Sequence, residues 1–142
     1  MAVGYSGTPL PKKLGIKSPM QLVVLDAPTE YESFVGELPQ GVILRAAADK
    51  QTNMVHLFAT ERQELSAHLR SLRRKLNDEA AIWVSWPKRS SKVATDITED
   101  TIRELALSIG FVDIKVCAVS EVWSGLKLVV RKELRGRGSG VA

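Results

Sequence analysis

Two hydrophobic patterns alternate along this chain of 142 residues. One is a short, nearly solid apolar run, such as QLVVLDA from residue 21, which is typical of a strand buried on both faces of a sheet. The other places apolar side chains three or four positions apart, as in Tyr31, Phe34 and Val35, which predicts one face of a helix. The solid runs predict six strands, at residues 21–27, 42–44, 55–59, 80–86, 111–119 and 126–130.

Three threonines mark where helices are expected to begin. Thr29 and Thr60 are each followed three residues later by a Glu or Gln, which is the spacing of a capping box. Thr98 is expected to cap the last helix, with Ile97 and Ile102 as a hydrophobic staple. Because Thr98 would supply this cap, we expect residues 88–96 to take no part in starting that helix.

The alternation of strands and helices predicts an α/β fold with three layers. Parallel strands that are apolar on both faces need helices on both sides of the sheet. The last two predicted strands are joined by a short turn near residues 120–125 and must therefore run antiparallel. We predict one Rossmann-like domain over residues 1–132 and a flexible basic tail over residues 133–142.

The order of these elements resembles that of class I S-adenosylmethionine-dependent methyltransferases with one strand–helix unit missing. The resemblance implies a mostly parallel sheet of about six strands in the order 2-1-3-4-6-5, with the last strand antiparallel. The stretches GYSGTPLPKKLGIK, VHLFAT, WVSWPK, ATDITEDTIRELA, VDIKVCAV and WSGLKLVVRK are also similar to a small bacterial family of unknown function. That similarity covers residues 4–132 and implies no established activity.

The loop after the first predicted strand departs from the methyltransferase pattern. The cofactor loop of that fold is glycine-rich, because its backbone must approach the ligand closely. Here residues 26–31 read DAPTEY and include no glycine; Pro28 lacks a backbone donor and Glu30 adds a negative charge. We therefore expect no cofactor, and keep S-adenosylmethionine as the alternative, for which Asp49 would hold a ribose.

The net charge of +4 is located at the two ends of the chain. Residues 1–20 contain three lysines and no acid, and residues 131–142 have an equal surplus of cations, so the remaining body is slightly acidic. This distribution argues against a basic binding face in the domain body, and nucleic acid is not the expected partner.

The remaining bulk features predict a cytoplasmic protein. No apolar run approaches the length of a membrane span, and no apolar region of a secretory signal follows the first residue. Cys117 is the single cysteine, so no intramolecular disulfide can form. It lies within a predicted strand, where we expect a buried and unreactive thiol.

The longest connection of the predicted domain follows its fourth strand. It runs from Pro87 to Ile97 and has eleven residues, whereas about two to six are usual for such a connection. It begins at the carboxyl edge of the sheet, where α/β proteins hold ligands. Its basic and hydroxyl side chains suit a small anionic ligand or a protein partner, and a solvated loop is the alternative. The candidate edge comprises Asp26, Trp86, Lys88, Arg89, Ser90, Ser91, Lys92, Thr95, Asp96, Trp123 and Ser124.

Several side chains each allow two interpretations. Trp86 and Trp123 either approach each other as two walls of a site or only cover the end of the sheet. Asp26 is either a base or ligand anchor, or a solvated residue before a helix. His56 is expected to be a packed core residue and His68 a surface residue, and no ligand spacing predicts a metal site.

No catalytic constellation emerges from these residues. The first hypothesis is therefore a non-enzymatic binding or interaction module that uses the carboxyl edge of the sheet. The second is a reduced S-adenosylmethionine-dependent methyltransferase, with Asp26 and residues 88–96 contacting cofactor or substrate. The third is accessory nucleic-acid binding through the two basic ends.

Overall fold

The solid apolar runs form six strands, each with ends within three residues of those predicted. The computed structural model describes residues 8–136. The strands are β1 (Met20–Leu25), β2 (Val42–Arg45), β3 (Met54–Phe58), β4 (Ala81–Pro87), β5 (Phe111–Ala118) and β6 (Trp123–Val130). The helices are α1 (Leu10–Leu14), α2 (Tyr31–Val35), α3 (Arg62–Lys75) and α4 (Glu99–Leu107).

The strands lie in one sheet in the order β2-β1-β3-β4-β6-β5, which confirms the predicted fold class. The first four strands are parallel, and β6 runs antiparallel to both β4 and β5. The short β5–β6 connection permits only this antiparallel pairing, whereas α3 and α4 lie on longer crossovers. The carboxyl ends of the parallel strands therefore meet the start of β6 at one edge.

Helices α3 and α4 cover one face of the sheet, which we call the α3–α4 face. Leu65, Leu69 and Leu72 of α3 are buried at the helical spacing that the sequence pattern predicts. Ile102 and Ala106 of α4 are buried in the same hydrophobic cluster. This face is held mainly by aliphatic side chains.

Helices α1 and α2 cover the opposite face, which we call the α1–α2 face. Its hydrophobic cluster contains Leu14 of α1, Val35 of α2 and Phe58 of β3. Trp83 of β4 is fully buried there, and its indole N–H donates to the Leu14 carbonyl at 2.8 Å. This hydrogen bond connects α1 to β4, near the middle of the sheet.

Thr29 and Thr60 do not cap the helices that follow them, so these two predictions are wrong. α2 begins only at Tyr31, and the Thr29 hydroxyl donates to the neighbouring Glu30 carboxylate instead. α3 begins at Arg62, which places Thr60 one residue too early for its hydroxyl to serve the first helical N–H groups.

Thr98 caps α4 as predicted. Its hydroxyl accepts from the Thr101 N–H at 3.2 Å, and the Thr101 hydroxyl accepts in return from the Thr98 N–H. Ile97 and Ile102 are both buried, as a hydrophobic staple requires. A threonine at the third helical position thus completes the box in which Glu or Gln is usual.

Residues 133–136, which belong to the predicted tail, lie against the domain. Lys132–Leu134 form a short 3-10 helix, and Leu134 packs against the core of the α3–α4 face. The Gly136 N–H donates to the Asp78 carboxylate at 2.7 Å. The rest of the predicted tail, residues 137–142, and residues 1–7 of the predicted domain lie outside the described residues.

Candidate functional site

The connection between β4 and α4 is held at both ends. At its start, the Lys88 N–H donates to the Val122 carbonyl in the β5–β6 turn at 2.7 Å, and Arg89–Ser91 form a 3-10 helix. At its end, the Thr95 hydroxyl donates to the Thr60 carbonyl at 2.6 Å. The connection is therefore fixed to two other parts of the carboxyl edge.

Asp96 caps α3, although it lies in a different connection. Its carboxylate accepts from the N–H of Arg62, the first residue of α3, at 2.7 Å. A carboxylate at this position satisfies a free helical donor and interacts favourably with the helix dipole. Asp96 thus supplies at α3 the cap that the sequence pattern predicted for Thr60, while α4 is capped by Thr98 as expected.

A cleft of about 690 Å³ lies between this connection and the first turn of α4, and we call it the β4–α4 cleft. Its volume is within the range of small-ligand sites. Its lining combines residues from the end of β4, the connection, the start of α4 and β6. They are Trp86, Pro87, Lys88, Arg89, Val93, Thr95, Ile97, Thr98, Glu99, Asp100, Arg103 and Ser124.

The cleft brings together five of the predicted site residues: Trp86, Lys88, Arg89, Thr95 and Ser124. Trp86 is buried on the α3–α4 face and pairs in register with Ser124 of β6. Lys88 and Arg89 form no ion pair with any carboxylate of residues 8–136. The connection therefore presents two unneutralised cations at the cleft.

The opposite wall of the cleft carries residues that the sequence analysis missed. Arg103 of α4 donates to Asp113 at 2.9 Å and to Asp100 at 3.2 Å, and it also contacts Glu99. Hydrogen bonds to Asp113 and Glu99 raise the pKa of the Arg103 guanidinium. The signal was present as acids three and four residues before Arg103, a spacing that joins them on one helix face.

The outer part of the connection does not line the cleft. Ser90 is exposed, and the Ser91 hydroxyl donates to the Lys88 carbonyl at 2.6 Å. Lys92 ends the 3-10 helix in a left-handed conformation, with φ of 62°. These side chains shape the loop or face solvent.

Trp86 and Trp123 lie on opposite faces of the sheet, so they do not form two walls of one site. Trp86 belongs to the hydrophobic cluster of the α3–α4 face and Trp123 to that of the α1–α2 face. The Trp123 and Phe58 rings pack edge to face, with their centroids 5.1 Å apart. Of the two interpretations, covering the end of the sheet is confirmed.

Asp26 is paired with His68, a partner that the sequence analysis placed at the surface. The Asp26 carboxylate lies 3.0 Å from His68 Nε2 of α3, and both side chains are partly exposed. Asp26 has φ of 57°, a left-handed conformation that Asp adopts more readily than most residues. Because 42 residues separate the pair, no local spacing could reveal it.

His56 is a buried, hydrogen-bonded core residue, as predicted. Its Nε2 lies 2.8 Å from the Ser85 hydroxyl and its Nδ1 lies 3.3 Å from the Tyr31 hydroxyl. Burial lowers the pKa of His56 to about 3 and raises the pKa of Tyr31 to about 12. The imidazole is therefore neutral at ordinary pH.

Two features are absent from residues 8–136. These residues contain no group of three or more His, Cys, Asp and Glu placed to hold a metal ion. None of their helices is long and apolar enough to cross a membrane.

Comparison with known proteins gives one family and one fold. A family model described as "Protein of unknown function (DUF3052)" matches residues 34–132. No curated protein matches the chain.

The solved structures that resemble the chain include several methyltransferases. A S-adenosylmethionine-dependent methyltransferase from Aquifex aeolicus has a TM-score of 0.59 and 14% identity, over 84% of this chain and 86% of that chain. A putative type 11 methyltransferase from Sulfolobus solfataricus has a TM-score of 0.59 and 13% identity, over 85% and 89%. The Methanococcus jannaschii fibrillarin pre-rRNA processing protein has a TM-score of 0.55 and 10% identity, over 89% and 70%. These similarities establish a methyltransferase-like Rossmann fold.

Proposed function

We propose that this chain, which belongs to the DUF3052 family of proteins of unknown function, is a non-enzymatic binding module. Its β4–α4 cleft receives a protein segment of mixed charge, with an acidic residue of the partner against Lys88 and Arg89. The observation that carries the proposal is this pair of cations, held at the cleft without a described carboxylate to neutralise them.

The anchored connection supports binding, because it presents the two cations in a preformed position. The Lys88 N–H bond to Val122 and the Thr95 bond to Thr60 fix the connection on both sides of Arg89. A preformed site spends less binding free energy on ordering itself.

The two walls of the cleft differ in charge, which favours a segment of mixed charge over a small anion. Lys88 and Arg89 lie on the connection, whereas the wall formed by α4 carries two acids, Glu99 and Asp100, and one cation, Arg103. The acids of the α4 wall would repel a small anion in the cleft. A longer segment can place an acidic residue against Lys88 and Arg89 and a basic residue against the α4 wall.

Two of the three hydroxyl side chains that line the cleft are not free to act as nucleophiles. Thr95 donates to the Thr60 carbonyl and Thr98 caps α4, so both have structural duties. The third is Ser124, and no His lines the cleft among the described residues, so this hydroxyl has no imidazole base beside it.

A labelled peptide of alternating Glu and Lys residues tests this proposal by fluorescence anisotropy. We expect Lys88→Glu with Arg89→Glu to weaken binding at least about tenfold, which corresponds to about 1.4 kcal/mol. Lys92→Glu is the matched control, because Lys92 lies in the same connection, is exposed and does not line the cleft. An equal loss in the control, or no binding by the unaltered chain at millimolar peptide, would contradict the proposal.

S-adenosylmethionine-dependent methyl transfer is the second candidate, and the strand order with its methyltransferase neighbours supports it. The residues after β1 do not fit the cofactor. Asp26, rather than a glycine, holds the left-handed position and is paired with His68, and Pro28 offers no N–H. The first glycine after β1 is Gly36, beyond α2.

A thermal-shift titration with S-adenosylmethionine distinguishes the two candidates. A bound cofactor at a hundredfold excess over its dissociation constant would stabilise the chain by about 2.7 kcal/mol. We expect no shift at millimolar concentration. A saturable shift would favour the methyltransferase candidate over the binding module.

A further inference from the structure

Four lysines from separate parts of the chain meet on the α1–α2 face. Lys13 belongs to α1 and Lys17 follows it, while Lys115 and Lys127 belong to β5 and β6. Lys115 and Lys127 are directly opposite each other in the antiparallel pair. Residues in such a pair are close neighbours, and like charges there destabilise the sheet.

The cations are held in place by groups that carry no negative charge. The Lys115 ammonium donates to the Lys13 carbonyl at 3.3 Å, and the Lys13 ammonium donates to the Ala118 carbonyl at 2.9 Å. Lys127 Nζ lies 6.0 Å from the centroid of the Trp83 ring, on the next strand. These contacts orient the three ammonium groups, and none of the contacting groups carries a negative charge.

Three of the four lysines have no carboxylate partner in the described part of the chain. Lys17, Lys115 and Lys127 form no ion pair with a carboxylate of residues 8–136. The remaining residues, 1–7 and 137–142, contain no Asp or Glu. Burial and the charges of Lys115 and Lys17 together lower the pKa of Lys127, which is the effect expected of cations that repel one another.

We propose that this lysine face, formed by Lys13, Lys17, Lys115 and Lys127, binds the phosphate backbone of a nucleic-acid duplex. A polyanion would relieve the repulsion that the free protein bears. Lysines act as point charges toward phosphates and read no base sequence. Trp83 is fully buried, so the face has no exposed ring from this residue on which single-stranded bases would stack.

This face corrects the expectation that the domain body carries no basic surface. The sequence analysis assigned Lys13 and Lys17 to a basic end. In the fold, Lys13 contacts Ala118 and Lys115 of β5, and the charge of Lys17 contributes to lowering the pKa of Lys127 of β6. The lysine face is distinct from the β4–α4 cleft, which lies on the α3–α4 face.

Fluorescence anisotropy with a labelled DNA duplex, over a series of salt concentrations, tests the proposal. Three or four phosphate contacts predict a slope of about −3 in a plot of log K against log salt concentration. We expect Lys115→Gln with Lys127→Gln to reduce the slope by about 2 and to weaken binding about 100-fold at about 50 mM salt.

A single charge reversal separates a binding role from a structural one. Lys115→Glu would place a carboxylate opposite Lys127, so we expect a higher Tm together with weaker duplex binding. If Lys115 only supported the fold, binding and Tm would change in the same direction, and that result would overturn the proposal.

Two control variants locate the binding surface on the full chain. Lys88→Gln with Arg89→Gln changes the β4–α4 cleft, and Arg135→Gln with Arg137→Gln changes the basic end; we expect neither to alter duplex affinity more than about twofold. Loss of binding in either control alone would overturn the proposal. Tighter binding to single strands, or equal binding to phosphatidylserine-containing vesicles, would also overturn it. Because the cleft proposal is tested with other variants and a peptide, the two proposals can fail separately.

Discussion

Helices α3 and α4 cover one face of the sheet with 14 and nine residues, whereas α1 and α2 cover the other with five residues each. The longer helices bury a continuous aliphatic stripe on the α3–α4 face. The short helices cannot present such a stripe, because five residues make fewer than two turns. The α1–α2 face uses aromatic rings, a buried histidine and specific hydrogen bonds instead.

The difference shows where this fold is sensitive to chemistry. Apolar area stabilises the α3–α4 face without regard to pH or to any single polar atom. On the α1–α2 face, by contrast, Trp83 and His56 each depend on a hydrogen-bond partner in another element. Changes that remove or protonate a polar group should therefore lower the unfolding free energy more on the α1–α2 face than on the α3–α4 face.

The largest expected effect is the acid sensitivity caused by His56. Its pKa is about 3 in the folded chain and about 6.5 in an unfolded one, so only the unfolded chain binds a proton between these values. This contribution is complete above pH 6.5 and is lost as the pH falls toward 3, at about 1.4 kcal/mol of unfolding free energy per pH unit. Urea unfolding at a series of pH values measures the slope.

The variant His56→Gln should flatten this slope, whatever it does to stability at neutral pH. His68→Gln is the control, since His68 lies in α3 and its side chain is partly exposed. If both variants kept the slope of the original chain, the acid sensitivity would come from other groups and the contrast between the faces would be weaker.

The next effect is the loss of the hydrogen bond between Trp83 and α1. Trp83→Phe keeps an aromatic ring on the α1–α2 face but leaves the Leu14 carbonyl without the indole N–H at 2.8 Å. An unpaired buried acceptor costs about 1–3 kcal/mol, in addition to a smaller packing loss. Chemical denaturation measures this, and a cost below about 0.5 kcal/mol would show that α1 is held mainly by apolar contacts.

A polar contact on the α3–α4 face should matter less. Asp96→Ala removes the cap of α3. We expect it to lower the unfolding free energy by about 1 kcal/mol, which is typical for the loss of a helix cap. Thr60→Val should be close to neutral, because the Thr60 side chain caps nothing. If the two variants lost equal amounts of unfolding free energy, the Thr60 side chain would cap α3 after all, as the sequence pattern predicts.

The strands and the fold were predictable because they depend on patterns that neighbouring residues carry. β3 is a run of five buried residues in which only His56 is polar, and so short a run indicates a strand by its length. The strand order came from the resemblance of the element order to methyltransferases, and the sheet confirms it. The cap of α4 was also predictable, since Thr98 and its partners lie within five residues.

The site was predictable only in part, because its contacts join distant segments. Side chains alternate between the faces of a strand, so the faces of Trp86 and Trp123 follow from the register of β4 and β6. β6 begins at Trp123, three residues before its predicted start, and Trp123 is opposite Pro87 rather than Trp86. The Asp96 contact with Arg62 spans 34 residues and has no local signature either.

The smallest effect should come from the pair of Asp26 and His68, which lies at the edge of the α3–α4 face. Both side chains are partly exposed, and such ion pairs contribute about 0–1 kcal/mol. A double-mutant cycle with Asp26→Asn and His68→Gln isolates the coupling energy of the pair. Asn is suitable at residue 26 because, like Asp, it adopts the left-handed conformation with φ of 57°. A coupling energy above about 2 kcal/mol would mean that one polar contact on this face matters as much as the Trp83 bond. In that case the two faces would differ in helix length but not in how they are held, and the glycine-free loop after β1 would owe its conformation to α3.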